Sequence, residues 1–149
     1  MIQLPPTSVL ILSVVQQGCP ENATPRDPIP NDQVIEGGFD TVFGVVTWQT
    51  LISGDKTNSN GLILGVATFP PQGVLHLHRY TPQEFYFGLT ESGTIMLDGQ
   101  PVQIAPGTSV FIPSSAEHGV TAVPKGLVMA HGFGEDAFSE IEYRFSAGQ

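Results

Sequence analysis

The chain has 149 residues, a formal net charge of −9, only five basic residues and a single cysteine. That length suits one domain with a sizeable core, and the lone Cys19 excludes an internal disulfide and a Cys-rich metal site. Five cations spread from Arg26 to Arg144 argue against nucleic acid or an anionic membrane as a partner.

In chain order, the first apolar run covers residues 9–15, too short to span a membrane and without a basic region before it. A cytoplasmic protein is the expectation. Residues 18–31 form a Pro-rich stretch, so residues 1–35 read as a strand plus an arm and residues 36–149 as one barrel domain. No long stretch carries the i, i+3, i+4, i+7 apolar pattern of a helix. Short β-rich runs recur instead, at 43–52, 62–69, 74–78, 84–89, 94–97, 102–104, 109–112, 119–122, 127–131 and 141–145. Asp98-Gly99 marks a tight hairpin, Pro106-Gly107 and Pro113-Ser114 mark corners, and only residues 135–140 could form a helical turn. With 17 glycines and 13 prolines, the chain reads as an all-β, turn-rich protein.

The chemistry concentrates at His76-Leu77-His78, Glu84 and His118. On a regular strand, residues i and i+2 share a face, so His76 and His78 are expected to project together. Imidazoles with a nearby carboxylate have the composition of a site for one divalent transition metal: Mn, Fe, Ni, Co or Zn. Tyr86 lies two residues after Glu84 and is expected to face the same cavity. Leu127, Met129 and His131 share a strand face, and Ile141, Tyr143 and Phe145 share another. Val74, Tyr86, Met96, Phe111 and Met129 are expected to line an apolar pocket. Arg79, at the start of the loop before Glu84, is a candidate guard for its mouth.

From Gly65 to Ala122 these residues resemble the cupin family of double-stranded β-helix (jelly-roll) barrels. The family's first motif is roughly G-x5-H-x-H-x(3–4)-E-x6-G, and its second is G-x5-P-x-G-x2-H-x3-N. The first is matched by His76, His78 and Glu84, the second by Gly107, Pro113 and His118. Pro70 and Glu91 stand at the first motif's glycines, Ser115 and Ala122 replace Gly and Asn in the second, and the interval from His78 to Glu84 is long. The resemblance implies a metal held by His76, His78, Glu84 and His118, with Tyr86 and His131 as candidate proton carriers. The compact H-x-H…E-x-Y…H arrangement is similar to bacterial dimethylsulfoniopropionate lyases, small dioxygenases and sugar or keto-acid isomerases. The expected activity is a metal-dependent lyase or isomerase acting on a small carboxylate or enolisable metabolite, in a homodimer whose arm covers exposed strand edges. An Fe(II) dioxygenase and a non-catalytic metal or ligand-binding module are the alternatives.

Overall fold

A computed structural model describes residues 35–146, so the expected strand at 9–15 and the Pro-rich arm lie outside the described residues. Within them the strands are β1 (Glu36–Asp40), β2 (Gly44–Ile52), β3 (Ile63–Phe69), β4 (Val74–Arg79) and β5 (Glu84–Leu97). There follow β6 (Gln100–Ile104), β7 (Ser109–Ile112), β8 (His118–Phe133), a 3₁₀ turn (Phe138–Glu140) and β9 (Arg144–Phe145). They form one antiparallel sheet in the order β6-β5-β8-β3-β2-β4-β9, with β1 on β2 and β7 on β5. A further pairing of β4 with β8 joins the ends of the β8-β3-β2-β4 path and closes it into a barrel.

Two long strands organise the closure. Residues 84–89 and 94–97, legible as separate runs, are one strand, and so are 119–122 and 127–131. β5 and β8 pair along their whole lengths, with register shifts between Gly88 and Thr90 and between Glu91 and Gly93. Those irregularities bend β5 around the barrel, and one half of β8 pairs with β4 while the other pairs with β3. The Asp98-Gly99 hairpin is as expected: both residues have positive φ (45° and 77°), and Leu97 faces Gln100 across it.

The interior holds an apolar core of Ile95, Ile104, Val110, Ile112, Val120, Leu127 and Met129. Ile63, Tyr80 and Phe133 form a second cluster under Phe138, Ile141 and Tyr143. Each fully buried aliphatic side chain contributes roughly 1.5–3 kcal/mol. Two expected pocket residues lie on the other face. Phe111 is 58 % and Met96 36 % exposed, because Val110, Ile112 and Ile95 take the inward positions beside them.

Candidate active site

The strand pair β4–β8 decides which imidazoles meet. Leu75 faces Val120, but three residues later His78 faces His118, so β4 carries one extra residue in between. Such a bulge breaks the i, i+2 rule. Leu75 packs on the core and His78 is fully buried, whereas the His76 ring turns to the Val42 carbonyl, to which its Nδ1–H donates at 3.1 Å. The bulge lies against Gly119, where a Cβ would fall 2.9 Å from the Leu75 carbonyl oxygen. The structure therefore brings together His78, Glu84, His118 and His131 and parts them from His76.

The two meeting imidazoles are held alike. His78 Nδ1 lies 2.8 Å from the His76 carbonyl oxygen, and His118 Nδ1 lies 3.0 Å from that of Ala116. A carbonyl only accepts, so each Nδ1 carries the proton and each Nε2 presents a lone pair. This is the support that metal-binding histidines use. The ring centroids are 4.3 Å apart, and Tyr143 stacks on His78 at 5.2 Å. Burial first, then the neighbouring His118, pulls His78 down to about 4, so it is a neutral donor at pH 7.

Glu84 opens β5 and is 3 % exposed. Its Oε1 lies 3.4 Å from His131 Nδ1, and its Oε2 lies 3.5 Å from His118 Nε2 and accepts from the Tyr80 hydroxyl. Burial alone would raise its pKa, but the neighbouring His118 and His131 side chains hold it at about 2, an ionised carboxylate. His131 is pressed over β3, where a Cβ on Gly65 would fall 2.5 Å from its Nε2. The Nε2 atoms of His78 and His131 are buried without a hydrogen-bond partner. Neutral imidazole nitrogens with an ionised carboxylate fit a divalent transition metal. Among the described residues no three His, Cys, Asp or Glu side chains form a ready-made ion cage by themselves. The Tyr80 phenol stands between Glu84 and His118, its oxygen 2.8 Å from His118 Nε2.

Tyr80 is the residue that sequence reasoning missed. Counted from His76, the interval to the acid is too long for the first motif. Counted from His78, with Tyr80 in the place of the second imidazole, it becomes His78-x-Tyr80-x3-Glu84, the family's own spacing. The same frame sets Gln72 and Glu91 at the first motif's glycines, and both adopt φ 58°; Ser115, at the second motif's glycine, adopts φ 61°. The left-handed turns are kept by residues that bear side chains, at roughly 1–2 kcal/mol each. The overlong interval was the signal.

Of these groups Glu84 and His131 line a cavity of about 310 Å³, and His78, Tyr80 and His118 are not among its lining residues; its wall includes Phe43, Trp48, Tyr86, Phe138, Tyr143 and Phe145, with Leu75 and Met129. Glu84 is the carboxylate among the lining residues, and no Lys or Arg is among them. Arg79 does not guard the cavity: it bonds Glu117 at 2.9 Å on the outer surface. Burial, then the Glu84 charge, pushes the phenols of Tyr80, Tyr86 and Tyr143 well above their ordinary value.

A closed antiparallel barrel with imidazoles and a carboxylate on its inner wall defines a cupin, and the cupin domain family matches residues 65–129. This chain belongs to the cupin family. Its relatives include the dimethylsulfoniopropionate lyase DddW of Ruegeria pomeroyi, 43% identical over 128 residues that cover 86% of this chain and 82% of the relative. Among solved structures, a cupin-2 domain protein of Rhodospirillum rubrum aligns with TM-score 0.68 and 18% identity, over 82% of this chain and 80% of that one. The polyketide cyclase RemF of Streptomyces resistomycificus aligns at 0.66 and 17%, over 85% and 87%. At such identities the two structures speak for the fold alone.

Proposed function

We propose that this cupin is a metal-dependent lyase that cleaves dimethylsulfoniopropionate to dimethyl sulfide and acrylate. The observation that carries the reading is the cavity itself: six aromatic rings and one carboxylate, with no cationic side chain among the lining residues. A sulfonium cation suits such a wall, because each ring face attracts it by roughly 0.5–2 kcal/mol. The 43% identity to a lyase of that substrate supports the same choice. His78, Glu84 and His118 are the protein groups that would hold the ion. When bound, a divalent cation supplies Lewis acidity toward the substrate carboxylate and favours phenolate over phenol.

The remaining work falls to the chain. Tyr86 is fully buried on the cavity wall beside Glu84 and Tyr80; as the phenolate that the bound cation would favour, it would take the proton from the carbon next to the carboxylate and become the neutral phenol. The electron pair forms the new C=C bond as the C–S bond breaks, and dimethyl sulfide departs neutral. His131 bonds Glu84 from the far side and keeps its carboxylate oriented. The buried indole N–H of Trp48, without a protein partner, is a donor for the substrate carboxylate. The working unit in this reading is a homodimer, supported by the exposed Phe85, Phe87 and Phe111 on the outer faces of β5 and β7. Light scattering at micromolar concentration should give twice the monomer mass; the monomer mass would count against it.

Headspace gas chromatography tests the reaction. Protein loaded in turn with Mn, Fe, Co, Ni and Zn is sealed with dimethylsulfoniopropionate, with and without oxygen. Dimethyl sulfide with equimolar acrylate, unchanged under argon, is expected. No dimethyl sulfide with any ion, or turnover that stops under argon, would end the lyase reading.

A further inference from the structure

We propose that Tyr80 donates its phenolic oxygen to the ion, in the place where the family motif carries its second imidazole; this rests on the metal-dependent reading above. Lone pairs and protons at the site do not match. Glu84 Oε2 accepts from the Tyr80 hydroxyl, and the Nε2 atoms of His78 and His118 each present a lone pair. His131 and Tyr86 turn to Glu84, and the one proton of the Tyr80 hydroxyl is shared between Glu84 Oε2 and His118 Nε2, while His78 Nε2 has no partner. A buried surplus of acceptors is costly. A cation would remove the surplus, and the Tyr80 oxygen stands between two of the groups that would hold it, Glu84 and His118.

Two further observations place Tyr80 in the role. It stands at the second-imidazole position of the frame fixed by His78 and Glu84, while His76, the other candidate, is turned to the Val42 carbonyl. The phenol is also rigidly held. Tyr80 is 3 % exposed, its ring is packed edge-on by Phe133 at 5.2 Å and Tyr143 at 5.0 Å, and its carbonyl accepts from the Ser115 N–H at 3.0 Å. A residue packed so tightly keeps its oxygen pointed at one spot. Two nitrogen and two oxygen donors make a harder set than three imidazoles and a carboxylate, and shift preference toward iron and manganese.

Iron makes the assignment visible without turnover, because a phenolate on Fe(III) gives a charge-transfer band in the visible range. Metal-depleted protein is loaded with Fe(II), oxidised in air, and studied by absorption and resonance Raman spectroscopy. The wild-type protein should show the band with enhanced phenolate ring modes, which needs no variant to fold. Tyr80→Phe should lose the band and bind iron at least about 10–100-fold more weakly, the loss expected when even a supporting partner is removed. Tyr80→His should recover tight binding without the band. Full iron occupancy in the wild type without phenolate modes would overturn the assignment and leave the lyase reading standing. So would a band that survives Tyr80→Phe and vanishes in Tyr86→Phe. Dimethyl sulfide release by protein that binds no ion would overturn the metal reading, and this assignment with it.

Discussion

The inner wall of the barrel has two regions buried to the same depth and built from the same strands. Ile95, Ile104, Ile112 and Val120 are at most 1 % exposed, and so are His78 and His118, with Glu84 at 3 % and His131 at 5 %. Glu84 even faces Ile112 across the β5–β7 ladder. The aliphatic side chains need no polar partner, so their burial is favourable without compensation. In the polar region a carboxylate stays ionised and two imidazole nitrogens lack a partner, each unmatched group costing about 1–3 kcal/mol. A core selected for stability alone would not keep that arrangement, so the difference separates what holds the barrel together from what it holds in readiness.

Substitutions in the two regions should fail in different ways. In the polar region, Tyr86→Phe keeps the ring packing and removes the proposed base, so turnover on dimethylsulfoniopropionate should fall roughly 10²–10⁴-fold with metal content and melting temperature nearly unchanged. In the aliphatic region, Ile104→Ala should cost about 2–5 kcal/mol in denaturant unfolding, with kcat of the folded protein close to wild type. Equal losses of activity and stability from both variants would erase the distinction between the regions.

Acid should act through the polar region. His78 titrates at about 4 in the folded protein against an ordinary value of 6.5, so the unfolded chain takes up the proton first. Its contribution is present above pH 6.5 and is lost as pH falls toward 4, roughly 3 kcal/mol in all. Glu84, at about 2 against 4.5, extends the loss to lower pH. Thermal melts of chelator-treated protein should therefore fall across this window, more shallowly in His78→Gln; an identical slope would remove His78 as the cause. The smallest effect belongs to the outer face, where Phe111→Ser should change monomer stability by no more than about 0.5 kcal/mol. A loss of several kcal/mol would place Phe111 inside, as its sequence pattern first implied.

Much of this was legible in the chain. Alternation of apolar residues, the Asp98-Gly99 hairpin and the spacing around Gly107, Pro113 and His118 point to the barrel, and strand parity puts Tyr86 beside Glu84. The bulge in β4 was not legible, because it depends on β8 pairing and on the space left by Gly119, neither of which a local pattern encodes. Without the bulge, His76 and His78 form the natural pair. Tyr80 was hidden for a chemical reason: a search for imidazoles passes over a phenol, even at motif spacing. β1 was hidden too, since Gly37 and Gly38 make a poor strand signal and its order comes from pairing with β2.

The central claim is that the ion site is framed from His78 and not from His76. Elemental analysis of His78→Ala and His76→Ala, purified side by side with the wild type and titrated with the same divalent ion, tests it most directly. His78→Ala should lose stoichiometric metal, while His76→Ala, which gives up one hydrogen bond to Val42, should keep it within error. Full metal in His78→Ala, or its loss in His76→Ala from a protein that still folds, would contradict the account.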